Sequence, residues 1–392
     1  MKDSIKKELK NLRANSLERT LNETQRTSNV RTTIKNKDAL VLCSNDYLGL
    51  LNHPRLKSAA IEATKKYGTG SGASRLITGT TPLHTELEKK LKVFTKFNDV
   101  LLFNSGYQAK IGAIPALINA SGKGTEIFSD KLNHASIIDA CILSRTKVWR
   151  YQHSDLSILE DKLKESNSKN KLIITESVFS MDGDLASLND IQFLSKKYNA
   201  LLYIDDAHGF GVLGKNGRGV IEELNLIKKN TILMATFGKA LGSYGAFIAG
   251  DSDIIKLLTN KARAFIFSTS LPPAICAATS QALDIIQEEP KRRKRLHSNA
   301  NLLRDILNTA GLDTLNTSTH IIPVLTGSAK LALQISNALL EDGVFVQAIR
   351  PPTVRAGTSR LRLTVSSELS TEDILSAADL IIEKFKELSC AK

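Results

Sequence analysis

The chain has few cysteines: Cys43, Cys141, Cys276 and Cys390 are scattered through 392 residues. They form no CxxC pair and no metal-ligand spacing, which excludes a disulfide framework and a metal centre and fits a reduced, cytoplasmic enzyme. No run of about 18 apolar residues is present, so no membrane partner is expected. The opening MKDSIKKELK is charged and lacks the apolar core of a signal peptide. A GxxxxGK[ST] loop is missing, and so is any zinc-finger spacing. Acidic residues are outnumbered, 40 against 53 basic, giving a net charge of +13. That balance attracts nucleic acid, an anionic substrate or an acidic carrier. The densest basic run, KRRKR from Lys291, opens a helical pattern through Leu302, Leu303, Ile306 and Leu307. It reads as a solvated helix start, and no nucleic-acid partner is expected.

The composition, 42% apolar and 24% charged, is that of a globular protein. At 392 residues the chain exceeds what one core usually supports, so two lobes are expected behind an N-terminal arm. Residues 1–38 form the arm, helical to about residue 28 along Ile5, Leu9, Leu12, Leu17 and Leu21. Residues 39–286 form the larger lobe and residues 287–392 a smaller α+β lobe. A strand over 39–43 runs into SNDYLG from Ser44, and a glycine-rich loop follows over 67–80. Thr81 and Pro82 then start a helix with Leu83, Leu87 and Leu91 as its buried stripe.

From residue 100 strand, loop and helix alternate. The strands lie at 100–103, 126–128, 171–175, 200–204, 232–235 and 246–249, with 264–267 as a candidate seventh. Such alternation gives a mostly parallel seven-stranded sheet between helices, and ligands bind beyond the carboxyl ends of its strands. The chemistry-bearing residues gather at those ends. Ser105, Gly106 and Tyr107 open a helix, where free N–H groups favour a phosphate, or Ser105 is an ordinary N-cap. His134 is placed to lie on an aromatic cofactor, or is structural. Asp205 ends an apolar run, where a carboxylate is costly without a cationic partner such as a protonated pyridine nitrogen; the other reading is a helix cap. His208 faces the same ring or is a loop histidine, and Ser180 and Thr236 are cofactor-side hydroxyls or turn residues. The strand 232–235 stops at Thr236, Phe237 and Gly238, and Lys239 follows these at once, among glycine and alanine. An amine at a buried strand end loses solvation, which favours the neutral, nucleophilic form that bonds pyridoxal phosphate (PLP); the other reading is a solvated helix-opening lysine.

Asp205-x-x-His208 followed by Lys239 resembles the fold-type I PLP-dependent transferases, and more narrowly the α-oxoamine synthases. The matching stretches are SNDYLG from Ser44, the glycine loop from Gly68, NHAS from Asn133, SMDGD from Ser180, DDAHG from Asp205 and STSLPP from Ser268. They span nearly the whole chain in the family's order. AIRPPTV from Ala348 and GTSRLRLT from Gly357 resemble the branch that joins L-alanine to a pimeloyl thioester in biotin synthesis. Arg355 departs from that pattern, where relatives often carry Pro.

The resemblance implies that Lys239 carries PLP, that Asp205 keeps its ring nitrogen protonated, and that His134 and His208 contact the ring. It implies Arg362 as clamp for the alanine carboxylate, the other reading being a strand-end surface arginine, with Asn45 beside the substrate. Arg350 and Thr353 shape the acyl or carboxylate end of the pocket, or else form a proline-rich turn, and Arg19 is the substrate arginine of the N-terminal arm, with Arg13 as the alternative. Pimeloyl-CoA and pimeloyl-acyl carrier protein remain alternative donors. A homodimer is implied, with Thr269 and Ser270 lent to the neighbouring subunit's cofactor phosphate, or else capping before Pro272. Two other readings stand: a sister synthase such as glycine C-acetyltransferase, and a basic nucleic-acid-binding protein on a PLP-type fold.

Overall fold

The structure is a computed structural model that describes residues 1–389; Cys390 lies outside the described residues. The chain divides into two compact units, each assembled from separated stretches. One comprises Leu50–Phe179 and Leu185–Pro290; the other comprises Met1–Gly49, Ser180–Asp184 and Lys291–Lys392.

The larger unit is built on a seven-stranded sheet. Its order is Asp99–Phe103, Ala246–Gly250, Thr231–Thr236, Ala200–Asp205, Lys171–Glu176, Glu126–Asp130, Val148–Tyr151. Only Ala246–Gly250 runs against its neighbours; the other pairings are parallel. The inner strands read as unbroken apolar runs because helices such as Gly106–Ala120 and Ser252–Lys261 cover them. The expected architecture is borne out, with the seventh strand elsewhere than read. Residues 264–267 do not form a strand: Arg263–Ile266 is a short helix, with Phe265 packed edge-on against Phe103 at 5.9 Å. The strand is Val148–Tyr151 at the sheet edge, half-buried and carrying Trp149 and Arg150, so it shows no apolar run.

The smaller unit holds two sheets. Thr24–Arg26, Arg31–Ile34 and Lys37–Val41 pair antiparallel, and Val344–Phe345 joins Lys37–Val41 in parallel. Ile321–Gly327, Ser359–Thr364 and Gln347–Ile349 form the second, covered in part by Ala329–Glu341. The reading of a helix to residue 28 is corrected: Lys2–Ala14 ends at Asn15, Ser16 turns with φ of 58°, and a strand follows at Thr24. The helix buries none of its residues, so no apolar contact extends it. Among the described residues no helix is long and apolar enough to cross a membrane.

Candidate active site

In the larger unit the parallel strands bring their carboxyl ends to one edge. Asp205 and Glu176 end adjacent strands and are register partners, so two buried acids stand side by side. His208 follows Asp205, and Lys239 follows Thr231–Thr236. The Lys239 loop is fixed by its own backbone. Phe237 N–H donates to Gly245 O at 2.9 Å, and Gly242 N–H donates to Lys239 O at 2.9 Å. Gly242 takes φ of +58°, and a Cβ there would stand 2.5 Å from the Leu51 nitrogen, so glycine is required. Lys239 is half-buried, and its Nζ lies 3.0 Å from Nε2 of the buried His208.

Asp205 is 3% exposed, yet it is anionic. Burial pushes its carboxyl up, but the Lys110 ammonium and then Lys239 more than offset this and hold it below the usual carboxylate range. Lys110 Nζ is bonded to Asp205 Oδ2, and Ala207 N–H donates to Oδ1 at 3.1 Å. Glu176 carries the opposite burden. Burial, then the charge on Asp205, pushes it up to about 8, so it is a neutral acid at pH 7. Two like charges at adjacent strand ends do not both ionise.

A stability prediction follows from Glu176. Its carboxyl is raised in the fold, so its contribution is full below the ordinary value of about 4.5 and is lost as pH rises through about 8. Glu176→Gln cannot ionise. The variant is therefore expected to gain stability relative to the natural chain from about pH 4.5 to pH 8, by at most ~1.4 kcal/mol per pH unit. Urea midpoints of the two proteins at matched pH check this, and parallel profiles would refute the neutral acid.

His134 caps the helix Ala135–Leu143, and its Nδ1 accepts from Ser136 N–H at 3.2 Å. The proton of the neutral ring therefore sits on Nε2. Burial, then the charge on Lys110, pulls its pKa down to about 4. The residue nonetheless keeps an exposed surface, so water moderates that pull, and a flat guest has a ring to lie against. Ser105 is the N-cap of Gly106–Ala120, its Oγ accepting from Gln108 N–H at 3.2 Å. A Cβ on Gly106 would meet Thr236 Cγ2 at 2.6 Å, so glycine lets the strand end close over the helix start. Thr236 Oγ1 is buried there without a hydrogen-bond partner. Tyr107 is exposed, with its hydroxyl donating to Asp139. Thr269 is exposed, while the buried Ser270 hydroxyl lies 2.8 Å from His84 Nε2.

In the smaller unit Arg362 is buried, with Nε donating to Ser180 O at 2.5 Å and Nη1 to Asn45 Oδ1 at 3.4 Å. Ser180 belongs to the segment Ser180–Asp184, which is part of this unit. Arg350 is buried and donates to Ser16 O. Thr353 is exposed, and its N–H donates to Arg350 O at 3.1 Å. Arg19 donates to Pro351 O at 3.2 Å, whereas Arg13 pairs with Glu18 at 2.9 Å. Burial, then the charge on Arg19, pulls the Arg350 guanidinium down.

Sequence reasoning missed Lys110 and gave Glu176 no role. The signal for Lys110 was present: one lysine stands among Ala109, Ile111, Gly112, Ala113 and Ile114. A charge inside such a stretch requires a buried partner.

These residues fit PLP. The larger unit offers an ionised buried carboxylate, a lysine touching a histidine, an exposed imidazole, a helix N-terminus, and beside it an orphaned hydroxyl.

Comparison with known proteins agrees. Residues 37–381 match the family described as aminotransferase class I and II. The chain is 48% identical over 391 residues to the 8-amino-7-oxononanoate synthase of Geobacter sulfurreducens, covering 99% of each. Among solved structures, a PLP-containing serine palmitoyltransferase of S. paucimobilis superposes with a TM-score of 0.93 at 29% identity, covering 99% of this chain and 98% of that one. The 8-amino-7-oxononanoate synthase of Francisella tularensis gives 0.77 at 31% identity, covering 89% and 98%. With a sheet edge that brings Lys239, His208 and Asp205 together, and relatives that match it end to end, the chain belongs to the aminotransferase class I and II family of fold-type I enzymes, within its α-oxoamine synthase branch.

Proposed function

We propose that the chain catalyses the PLP-dependent decarboxylative condensation of L-alanine with a pimeloyl thioester. The products are 8-amino-7-oxononanoate, carbon dioxide and the free thiol carrier. The observation that carries this reading is the contact of Lys239 with His208 beside the ionised Asp205. When bound, PLP supplies an electron sink for the α-carbon of the amino acid.

The chain's own residues then have these tasks. Asp205 would hold the ring nitrogen protonated, His134 would cover a ring face, and His208 would hydrogen-bond the phenolic oxygen or the substrate carbonyl. Lys239 would hold the cofactor, and its Nζ would take the α-proton. Ser105, Gly106, Tyr107 and Thr236 bind the phosphate at the helix N-terminus. Arg362, steadied by Ser180 and Asn45, binds the alanine carboxylate through paired N–H donors. Arg19, Arg350 and Thr353 receive the acyl end; the mutual repulsion of the two guanidiniums supports an anionic guest there.

The active form is a homodimer in which Thr269 and Ser270 serve the phosphate site of a second copy. The exposure of Ile77 at 75% and Phe267 at 70% supports apolar pairing of copies. The described cysteines Cys43, Cys141 and Cys276 are free, which suits a reducing cytoplasm.

The deciding assay pits L-alanine plus pimeloyl-CoA or pimeloyl-acyl carrier protein against glycine plus acetyl-CoA. Turnover of the first pair at least tenfold faster is expected. Preference for the second would make the chain a glycine-using sister synthase.

A further inference from the structure

The proposed reaction gives no task to Lys110, although its ammonium is bonded to Asp205. Lys110 lies on the first turns of Gly106–Ala120 and is 4% exposed. A buried ammonium is costly unless paired, so a lysine held there answers a specific charge. Asp205 faces other titratable groups: Tyr203, two residues earlier on its strand, is pushed far up by burial and then by Asp205, so it stays neutral. Glu176 on the neighbouring strand is neutral at pH 7, and Asp206, next in the chain, is pushed up by burial to about 7. His134 resists protonation, and Lys239 has its Nζ at His208. Among the described residues, Lys110 alone forms an ion pair with Asp205.

We propose that Lys110 is a positioning residue, a built-in counter-ion that keeps Asp205 ionised before the cofactor arrives and shares that carboxylate with the ring nitrogen afterwards. It rests on the reading that PLP binds at this edge. The physical content is a proton count. With Lys110 in place, Asp205 enters the complex already deprotonated, and no proton leaves it. Without Lys110, a carboxyl buried among apolar strand ends takes up a proton in the cofactor-free protein. That proton must be released before the protonated ring nitrogen can pair with the carboxylate.

The probe is pyridoxine 5′-phosphate, which has the ring and phosphate but no aldehyde, so it forms no bond to Lys239. Its dissociation constant is measured by fluorescence for the natural protein and for Lys110→Met between about pH 5 and pH 7, where a fully buried carboxyl is still protonated. Taking the ratio of the two constants cancels the ligand's own ionisation. The ratio of the variant's constant to the natural one is expected to fall about tenfold per pH unit as pH rises. Lys110→Arg, which keeps the charge, is expected to track the natural protein. A lysine that merely packs would change affinity by a constant factor, and a pH-independent ratio therefore overturns the proposal.

If none of these proteins binds the probe, the cofactor reading falls and a ligand-free measurement decides on Lys110. The infrared spectrum of Lys110→Met at pH 6 is expected to gain a protonated-carboxyl stretch absent from the double variant Lys110→Met/Asp205→Asn. No such band overturns the proposal. Should the methionine variant fail to fold, Lys110→Gln takes the same measurements.

Discussion

Lys239→Ala is expected to fold and to lose turnover by at least about 10^4-fold, with PLP at saturating concentration. Two roles of Lys239 disappear together: attachment of the cofactor and removal of the α-proton. General acid–base transfer alone contributes roughly 10² to 10⁴, and loss of the covalent route adds to it. Folding survives because the loop is held by the Phe237–Gly245 and Gly242–Lys239 backbone bonds, which the substitution leaves in place. The Lys239 side chain is half-buried, so its truncation opens no sealed cavity. Product formation under single-turnover conditions, with far-ultraviolet circular dichroism as the folding control, checks the expectation. Activity within tenfold of the natural protein would remove Lys239 from the chemistry.

Asp205→Asn is expected to be the most damaging substitution for stability. It leaves the Lys110 ammonium buried without its counter-charge, and breaking such a pair from one side costs about 3–5 kcal/mol. The double variant Asp205→Asn/Lys110→Met removes both charges and is expected to recover much of that loss. Urea unfolding of the four proteins in the cycle gives the coupling between the two residues. Additive losses would show that the pair does not act as one unit. Neither variant is expected to keep the carboxylate function, so the double variant should be stable and inactive.

The parallel strands were legible because they are covered on both faces and read as plain apolar runs, each stopped by a polar residue. Asp205, His208 and Lys239 were legible because strand ends in such a sheet are where ligands bind. Lys110 was legible as a charge inside an apolar helix, but its partner was not. Its partner lies 95 residues away, and only the fold joins them. Val148–Tyr151 escaped notice because an edge strand shows water one side and so mixes Trp149 with Arg150. The helical reading of the arm failed for a different reason. The helix Lys2–Ala14 stops before Ser16, which takes φ of 58°, and Thr24–Arg26 pairs instead as a strand with Arg31–Ile34.

The strand Lys37–Val41 has its parallel neighbour in Val344–Phe345, about 300 residues downstream. During synthesis the ribosome releases the first of these long before the second exists. The unit containing Leu50–Phe179 and Leu185–Pro290 has its whole sheet in hand by residue 250, so it is able to condense while translation continues. One edge of Lys37–Val41 must wait unpaired throughout that interval, its other edge being held by Arg31–Ile34, and the charged Lys37 and Asp38 suit a strand edge that is exposed for so long.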